Sequence, residues 1–345
     1  MVSAVTNSAV VASLSQYQSA GFDGGNSNTK LVISGTEVRC PAYLLPIHSE
    51  LFSFPFPKYG GTFEYVSGDR TDLVGQTWMT GYPAYQASPV GCLRVVDDRN
   101  GKIAFGLQTL LGSIATLPHR DFWRLNLVAS IQDCQISGVQ LKNALKGGHN
   151  VKFNGENRLS TIDVSVLNVM EEGAGAMALH NAEIDPDSQT LIFDLGSGTT
   201  IMTVFGTRGI LIDRTVIPSG TTSLIDRIAK HAGMRDQLKQ QGDRHLIIEA
   251  IENGTFAYGR SGGFDFRAIY DEALVPWVQS TLAPALAAAS QWMLSSSTIV
   301  AIGGGSQLPT ITQFLSAKGI TPLPGGGWAN ARGLELIAIA MGASK

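Results

Sequence analysis

A chain of 345 residues is long enough for two domains with cores of their own, and 44% hydrophobic against 15% charged residues excludes a disordered polymer. A formal net charge of −3 without any basic cluster excludes chain-wide attraction to nucleic acid or to a membrane surface. Three widely spaced cysteines, Cys40, Cys92 and Cys134, fit neither a disulfide framework nor a zinc site, so the expected compartment is a reducing cytoplasm.

In chain order, residues 1–19 read as a flexible tail, because the first 29 residues contain no Lys or Arg and so lack the basic start of a signal peptide. Residues 22–35, FDGGNSNTKLVISG, read as strand, glycine turn and strand, with Asp23 at the mouth of the hairpin. Residues 46–100 are rich in Pro, Gly and aromatics with poor periodicity and read as an insertion; the aromatic run 51–65 within it reads as a small core of its own or as an exposed contact loop. RLNLVASI (124–131) and TIDVSVLNV (161–169) read as strands, and NVMEEGAGAMAL (168–179) as two carboxylates before a small-residue helix start.

Residues 193–206, FDLGSGTTIMTVFG, then repeat the first hairpin at equal length. Phe, Asp, the glycine two after Asp, the threonine six after Asp and the last glycine all coincide, which predicts two similar α/β halves. GTTSLIDRIAKHA (220–232) predicts a helix burying Leu224, Ile225, Ile228 and Ala229, with Thr221 or Thr222 as its cap. A helical insertion follows over about 233–270. The interval from Ala273 to Ala317 has no charge, but Pro276, Pro284, Gln279 and Gln291 interrupt it, so a buried helix and a buried strand are expected rather than a bilayer span. STIVAIGGGSQLPTITQFL (297–315) reads as strand, glycine turn and helix, with Pro309 in the first helical turn, and ANARGLELIAIAMGA (329–343) as a final helix capped near Asn330.

The chemistry these elements suit is phosphate binding. A glycine turn lets backbone N–H groups approach phosphate oxygens, and small hydroxyl or amide side chains add donors. A carboxylate in such a turn is useful if Mg²⁺ or its water lies between it and the phosphate. Asp23 and Asp194 are therefore expected around one hydrated Mg²⁺, with Lys30 as a cation for the terminal phosphates. Ile201 stands at the equivalent place in the second hairpin, so the two halves differ in role. A glutamate beside the terminal phosphate could orient the attacking water.

These segments, in this order, resemble the actin-like ATPase superfamily: its two phosphate loops at 22–30 and 191–200, its connecting segments at 168–178 and 328–334, and its adenosine loop at 300–307. Within that superfamily VMEEGAGA and PLPGGGWANARG are similar to segments of the ParM-type plasmid-segregation actins. Glu171 stands where that pattern has proline.

The resemblance implies an α/β, ribonuclease H-like two-domain fold with nucleotide in the interdomain cleft. Domain I would span 20–175 with its insertion at about 46–100, domain II 176–328, and a C-terminal helix 329–345 would return to domain I. It implies an ATPase, with GTP possible, that polymerises on itself and moves plasmid DNA through a DNA-binding adaptor without touching nucleic acid or membrane. Glu172, Asp194 and Asp23 would be catalytic. Gly24, Gly25, Asn26, Asn28, Lys30, Gly196, Ser197, Gly198 and Thr199 would hold phosphates, Gly220 and Thr221 would touch the nucleotide, and Gly303, Gly304 and Gly305 would flank the nucleoside. A small-molecule kinase, with Asp133 as base, and a non-polymerising ATP-binding adaptor are the alternatives.

Overall fold

In a computed structural model of the chain, residues 17–48, 59–98, 100–179, 187–259 and 263–343 are described. The tail 1–16 and residues 51–58 of the aromatic run lie outside them. The chain divides into two compact units, Met1–Leu179 with Asn330–Lys345, and His180–Ala329.

Among the described residues, the first unit is built on one ten-stranded sheet. Strands β1 (Gln18–Gly24), β2 (Asn28–Ile33) and β3 (Thr36–Pro41) form an antiparallel meander. The stretch that lacks periodicity supplies β4 (Tyr43–Ile47), β5 (Thr62–Gly68), β6 (Thr77–Thr80), helix α1 (Tyr82–Ala87) and β7 (Leu93–Arg94). Helices α2 (Gly101–Ala104) and α3 (Gly106–Ile114) lead to β8 (Phe122–Ile131), α4 (Cys134–Leu145), β9 (Gly147–Phe153), β10 (Leu159–Glu171) and α5 (Ala174–Leu179). The strand order is β3-β2-β1-β8-β10-β9-β5-β6-β4-β7, so the strands of the insertion continue the sheet beyond β9. The core under one face gathers Phe22, Leu31, Leu110, Leu125 and Leu141. Val128 packs with Leu334 and Ala338 of the C-terminal helix. β8 alternates in burial up to Asn126 and is buried on both faces from Leu127 to Ile131, where its sequence runs LVASI.

The second unit repeats this plan with fewer strands. β11 (Thr190–Leu195), β12 (Thr200–Phe205) and β13 (Leu211–Ile217) form the meander, followed by α6 (Thr221–Lys230), α7 (Ala232–Leu238), α8 (Arg244–Glu252) and the short ribbon β14 (Ala257–Tyr258) and β15 (Phe264–Asp265). Then come α9 (Arg267–Trp277), α10 (Ala283–Met293), β16 (Thr298–Ile302), α11 (Ile311–Ala317) and β17 (Thr321–Pro322); α12 (Gly326–Gly342) follows and belongs to the first unit from Asn330 onwards. The order β13-β12-β11-β16-β17 matches β3-β2-β1-β8-β10, with β1 parallel to β8 and β11 parallel to β16. The repeat read from the two hairpins thus extends to all five strands of the second sheet and to five strands of the first. α6 buries Leu224, Ile225, Ile228 and Ala229, the face its spacing predicts. Among the described residues no helix is long and apolar enough to cross a membrane; the uncharged interval folds as α9, a π-helical turn at Val278–Leu282, α10 and β16.

Three local expectations change. Neither Thr221 nor Thr222 caps α6, because Gly220 is the cap and the free N–H groups of both threonines go to loop carbonyls. Pro309 precedes α11, which starts at Ile311 after Thr310 at φ 69°. α12 starts at Gly326, which places Asn330 inside the helix, where its side chain has other partners.

Two histidines, the buried His149 and the half-buried His245, tie stability to pH. His149 Nδ1 accepts from the Tyr65 hydroxyl (2.8 Å), and burial holds its pKa, like that of His245, below the usual imidazole value. Below about pH 6.5 the unfolded chain takes up protons that the folded chain refuses, so stability falls as pH falls and is fully present above that value. We expect the melting temperature to drop more between about pH 7.5 and 5.5 in the wild type than in His149→Gln. Equal drops would remove His149 as a cause.

Candidate functional site

Each unit gathers its candidate residues at the carboxyl ends of parallel strands, where open α/β sheets bind ligands. In the first unit β1 ends at Asp23 and Gly24. Asp23 lies opposite Lys30 across the hairpin and level with Ser130 on β8. Lys30 Nζ is 3.8 Å from one Asp23 oxygen, and the Ser130 hydroxyl donates to the other at 3.4 Å. The Gly25 N–H donates to the Asp23 carbonyl (3.0 Å), closing a three-residue turn over Asp23, Gly24 and Gly25 that leads into Asn26, Ser27 and Asn28. A Cβ on Gly25 would meet the Asn28 carbonyl oxygen at 2.5 Å, so only glycine makes this turn.

The next strand over, β10, brings in the acidic pair. One extra residue, Leu167, lies between the pairs Val166↔Leu127 and Asn168↔Val128. Ahead of it the buried positions are 160, 162, 164 and 166, and after it 169. This β-bulge moves the last residues of the strand to the opposite faces. Glu171 is thereby turned to α4, where its Oε1 accepts the Cys134 N–H (2.9 Å) at the start of the helix. Glu172 is turned elsewhere and pairs with Lys102 of α2. The small residues that follow fit closely against α12. The Gly175 N–H donates to Asn330 Oδ1 (3.1 Å), and Asn330 Nδ2 donates to Ser130 Oγ (2.9 Å). A polar relay thus runs from the Gly175 backbone through Asn330 and Ser130 to Asp23.

In the second unit Asp194 lies opposite Ile201 and level with Ile302 of β16, the residue before Gly303. The turn Gly196, Ser197, Gly198 and Thr199 packs on the start of α6. The Thr221 N–H donates to the Gly196 carbonyl (3.0 Å) and the Thr222 N–H to the Ser197 carbonyl (2.9 Å). A side chain on Gly220 would run into both of those carbonyls. The Gly220 carbonyl accepts from the buried Trp277 indole (2.9 Å) and the Ser223 hydroxyl (2.7 Å). Gly303 has φ 83°, and a Cβ there would meet Asp194 Oδ1 at 2.5 Å; one on Gly305 would meet Leu195 Cβ at 2.8 Å. Gly304 has open space beside it.

The donor set suits a phosphate ligand with a hard cation. Glycine turns expose backbone in each unit, each unit has one aspartate able to supply oxygen ligands, and Lys30 adds a positive charge in the first. Among the described residues no three His, Cys, Asp or Glu side chains gather as a metal site. Mg²⁺ needs only one or two carboxylates beside substrate phosphates and water.

No family model matches the chain, and no curated protein matches it either. Solved structures do. The archaeal actin homologue Ta0583 aligns with 94% of this chain and 99% of its own at a TM-score of 0.72 and 15% identity. A ParM from a 15-stranded Clostridium botulinum filament aligns over 94% and 99% at 0.69 and 14% identity. A Bacillus thuringiensis ParM hybrid with ADP, which contains two ParM mutants, aligns over 94% of this chain and 48% of its own at 0.69 and 14% identity. The chain has the actin-like fold.

Within this actin-like fold, the unit-1 candidates Asp23, Gly24, Gly25, Asn26, Asn28, Lys30 and Glu172 fall at the ends of β1, β2 and β10. The unit-2 candidates Asp194, Gly196, Ser197, Gly198, Thr199, Gly220, Thr221, Gly303, Gly304 and Gly305 cluster where β11, β16 and α6 meet. Ser130, Lys102 and Trp277 are contacts that sequence reasoning missed, since each acts on residues far away in the chain.

Gly303→Ala forces a strained backbone and a collision with the Asp194 carboxylate, a cost of about 1–3 kcal/mol. We expect a fold retained by circular dichroism and Mg²⁺-dependent nucleotide affinity lowered by about tenfold or more, measured by calorimetry. Unchanged affinity would separate the Gly303 turn from ligand binding.

Proposed function

We propose that this chain is a nucleotide-dependent, filament-forming ATPase of the actin-like fold. The observation that carries the proposal is the pair of hairpins in one register, Asp23↔Lys30 and Asp194↔Ile201, each delivering a carboxylate and a glycine turn to the ends of parallel strands. In our reading both half-sites serve one ATP, or GTP, with Asp23 and Asp194 holding Mg²⁺ through water. Gly24, Gly25, Asn26, Asn28 and Lys30 take one side of the phosphates, and Gly196, Ser197, Gly198 and Thr199 the other. The Thr221 N–H is committed to the loop, so Thr221 is assigned a contact through its hydroxyl, beside Gly220. Gly303, Gly304 and Gly305 border the nucleoside. When bound, Mg²⁺ would neutralise charge on the phosphates.

The two adjacent glutamates divide the work in this reading. Glu171 is engaged in holding α4, and Glu172 is the carboxylate that orients the attacking water. Solved structures of similar fold support the rest: one is a ParM filament and another holds ADP. By the same likeness we assign self-assembly in the cytoplasm, with plasmid DNA carried through a DNA-binding adaptor.

Right-angle light scattering over a concentration series, with ATP, GTP, a non-hydrolysable analogue or no nucleotide, tests assembly. We expect a nucleotide-dependent rise above a critical concentration that decays as phosphate appears; a flat trace with nucleotide bound would sink the filament reading. Glu172→Ala should keep nucleotide binding and slow phosphate release by ~10²-fold. Asp194→Ala should weaken the magnesium dependence of turnover, and an unchanged magnesium titration would count against its role.

A further inference from the structure

We propose that Lys102 is a positioning residue for Glu172, an inference that rests on the hydrolytic reading of Glu172 above. Lys102 Nζ pairs with Glu172 Oε1 across 70 positions of sequence, and the two side chains are only 16% and 11% exposed. An ion pair this shielded is little screened by solvent, unlike a surface pair.

The lysine is mounted on a rigid support. A side chain on Gly101 would run into the Val95 carbonyl, so the start of α2 lies directly on that backbone. The Phe105 N–H donates to the Gly101 carbonyl (2.9 Å), carrying α2 into α3, in which every residue is buried. Gly106 in turn approaches Leu141 and Leu145 of α4.

Glu172 needs such a support. Its neighbour Glu171 is fixed by the Cys134 N–H, and Cys134 Sγ contacts the Val169 carbonyl at 2.9 Å, so β10 is pinned up to its last residue. After Glu172 the chain turns at Gly173 with φ 88°, a conformation open to glycine. Glu172 therefore sits between a pinned strand and a turn. Lys102 fixes the direction of its carboxylate, and misplacing a water-orienting group by an ångström is enough to slow a reaction strongly.

Phosphate release with Mg²⁺ and ATP, together with ATP affinity by calorimetry, tests this in four variants. Lys102→Met is expected to lower kcat by ~10-fold or more while ATP affinity stays within about threefold. Lys102→Arg, which keeps the charge, is expected to recover most of the rate. In the Glu172→Ala background Lys102→Met is expected to add less than about a twofold loss, because its effect passes through Glu172. If Lys102→Met does not fold, Lys102→Gln takes its place. Loss of rate that is equal in both backgrounds, or a Lys102→Met rate equal to wild type while Glu172→Ala is slow, overturns the proposal. A wild-type rate for Glu172→Ala would instead remove the reading on which it rests.

Discussion

A charge at the end of a buried strand has to be compensated, and the register of the two glycine hairpins decides how. In the first unit the residue facing Asp23 is Lys30, with the Ser130 hydroxyl behind it. In the second unit the residue facing Asp194 is Ile201. One hairpin geometry therefore produces two electrostatic environments from a single cross-strand difference. Everything else at the strand ends is arranged around these two carboxylates: the serine–asparagine relay on one, the Gly303 backbone on the other.

Backbone packed directly on backbone is the second organising feature. Gly220 lies on the carbonyls of Gly196 and Ser197, Gly333 lies on Gly175, and Gly21 lies on the backbone of Ala331 and Glu335. Contacts of this kind define the spacing of loops more sharply than side-chain packing does, since no rotamer can adjust them. They also use up hydrogen bonds that would otherwise be open to a ligand, as with the N–H groups of Thr221 and Thr222. Trp277 and Ser223 then hold the Gly220 carbonyl from the other side.

Much of this was legible in the sequence wherever the signal was local. The hairpins, the apolar face of α6 and the glycine turn after β16 all follow from spacing and residue type within a dozen positions. What was not legible depends on contacts distant in sequence. The strands between 43 and 94 escape a periodicity reading because they are short and lie among turns, and only pairing of β5 with β9 gives them a place. The caps of α6 and α12 were misread for a related reason: Gly220 and Asn330 answer to tertiary neighbours rather than to the nearest N–H group. Lys102 carries no local signal at all.

The bulge at Leu167 has a consequence for how this chain can vary. Because strand faces alternate with every residue, a single inserted position determines which of two adjacent glutamates meets the start of α4 and which meets α2. An extra residue in such a strand can be taken up as a bulge, as here, or by a shift of register, and only the first leaves Glu171 level with Ile131. Identity at positions 171 and 172 is therefore not enough to assign their roles in a homologous chain; the length of the strand leading up to them has to be counted as well.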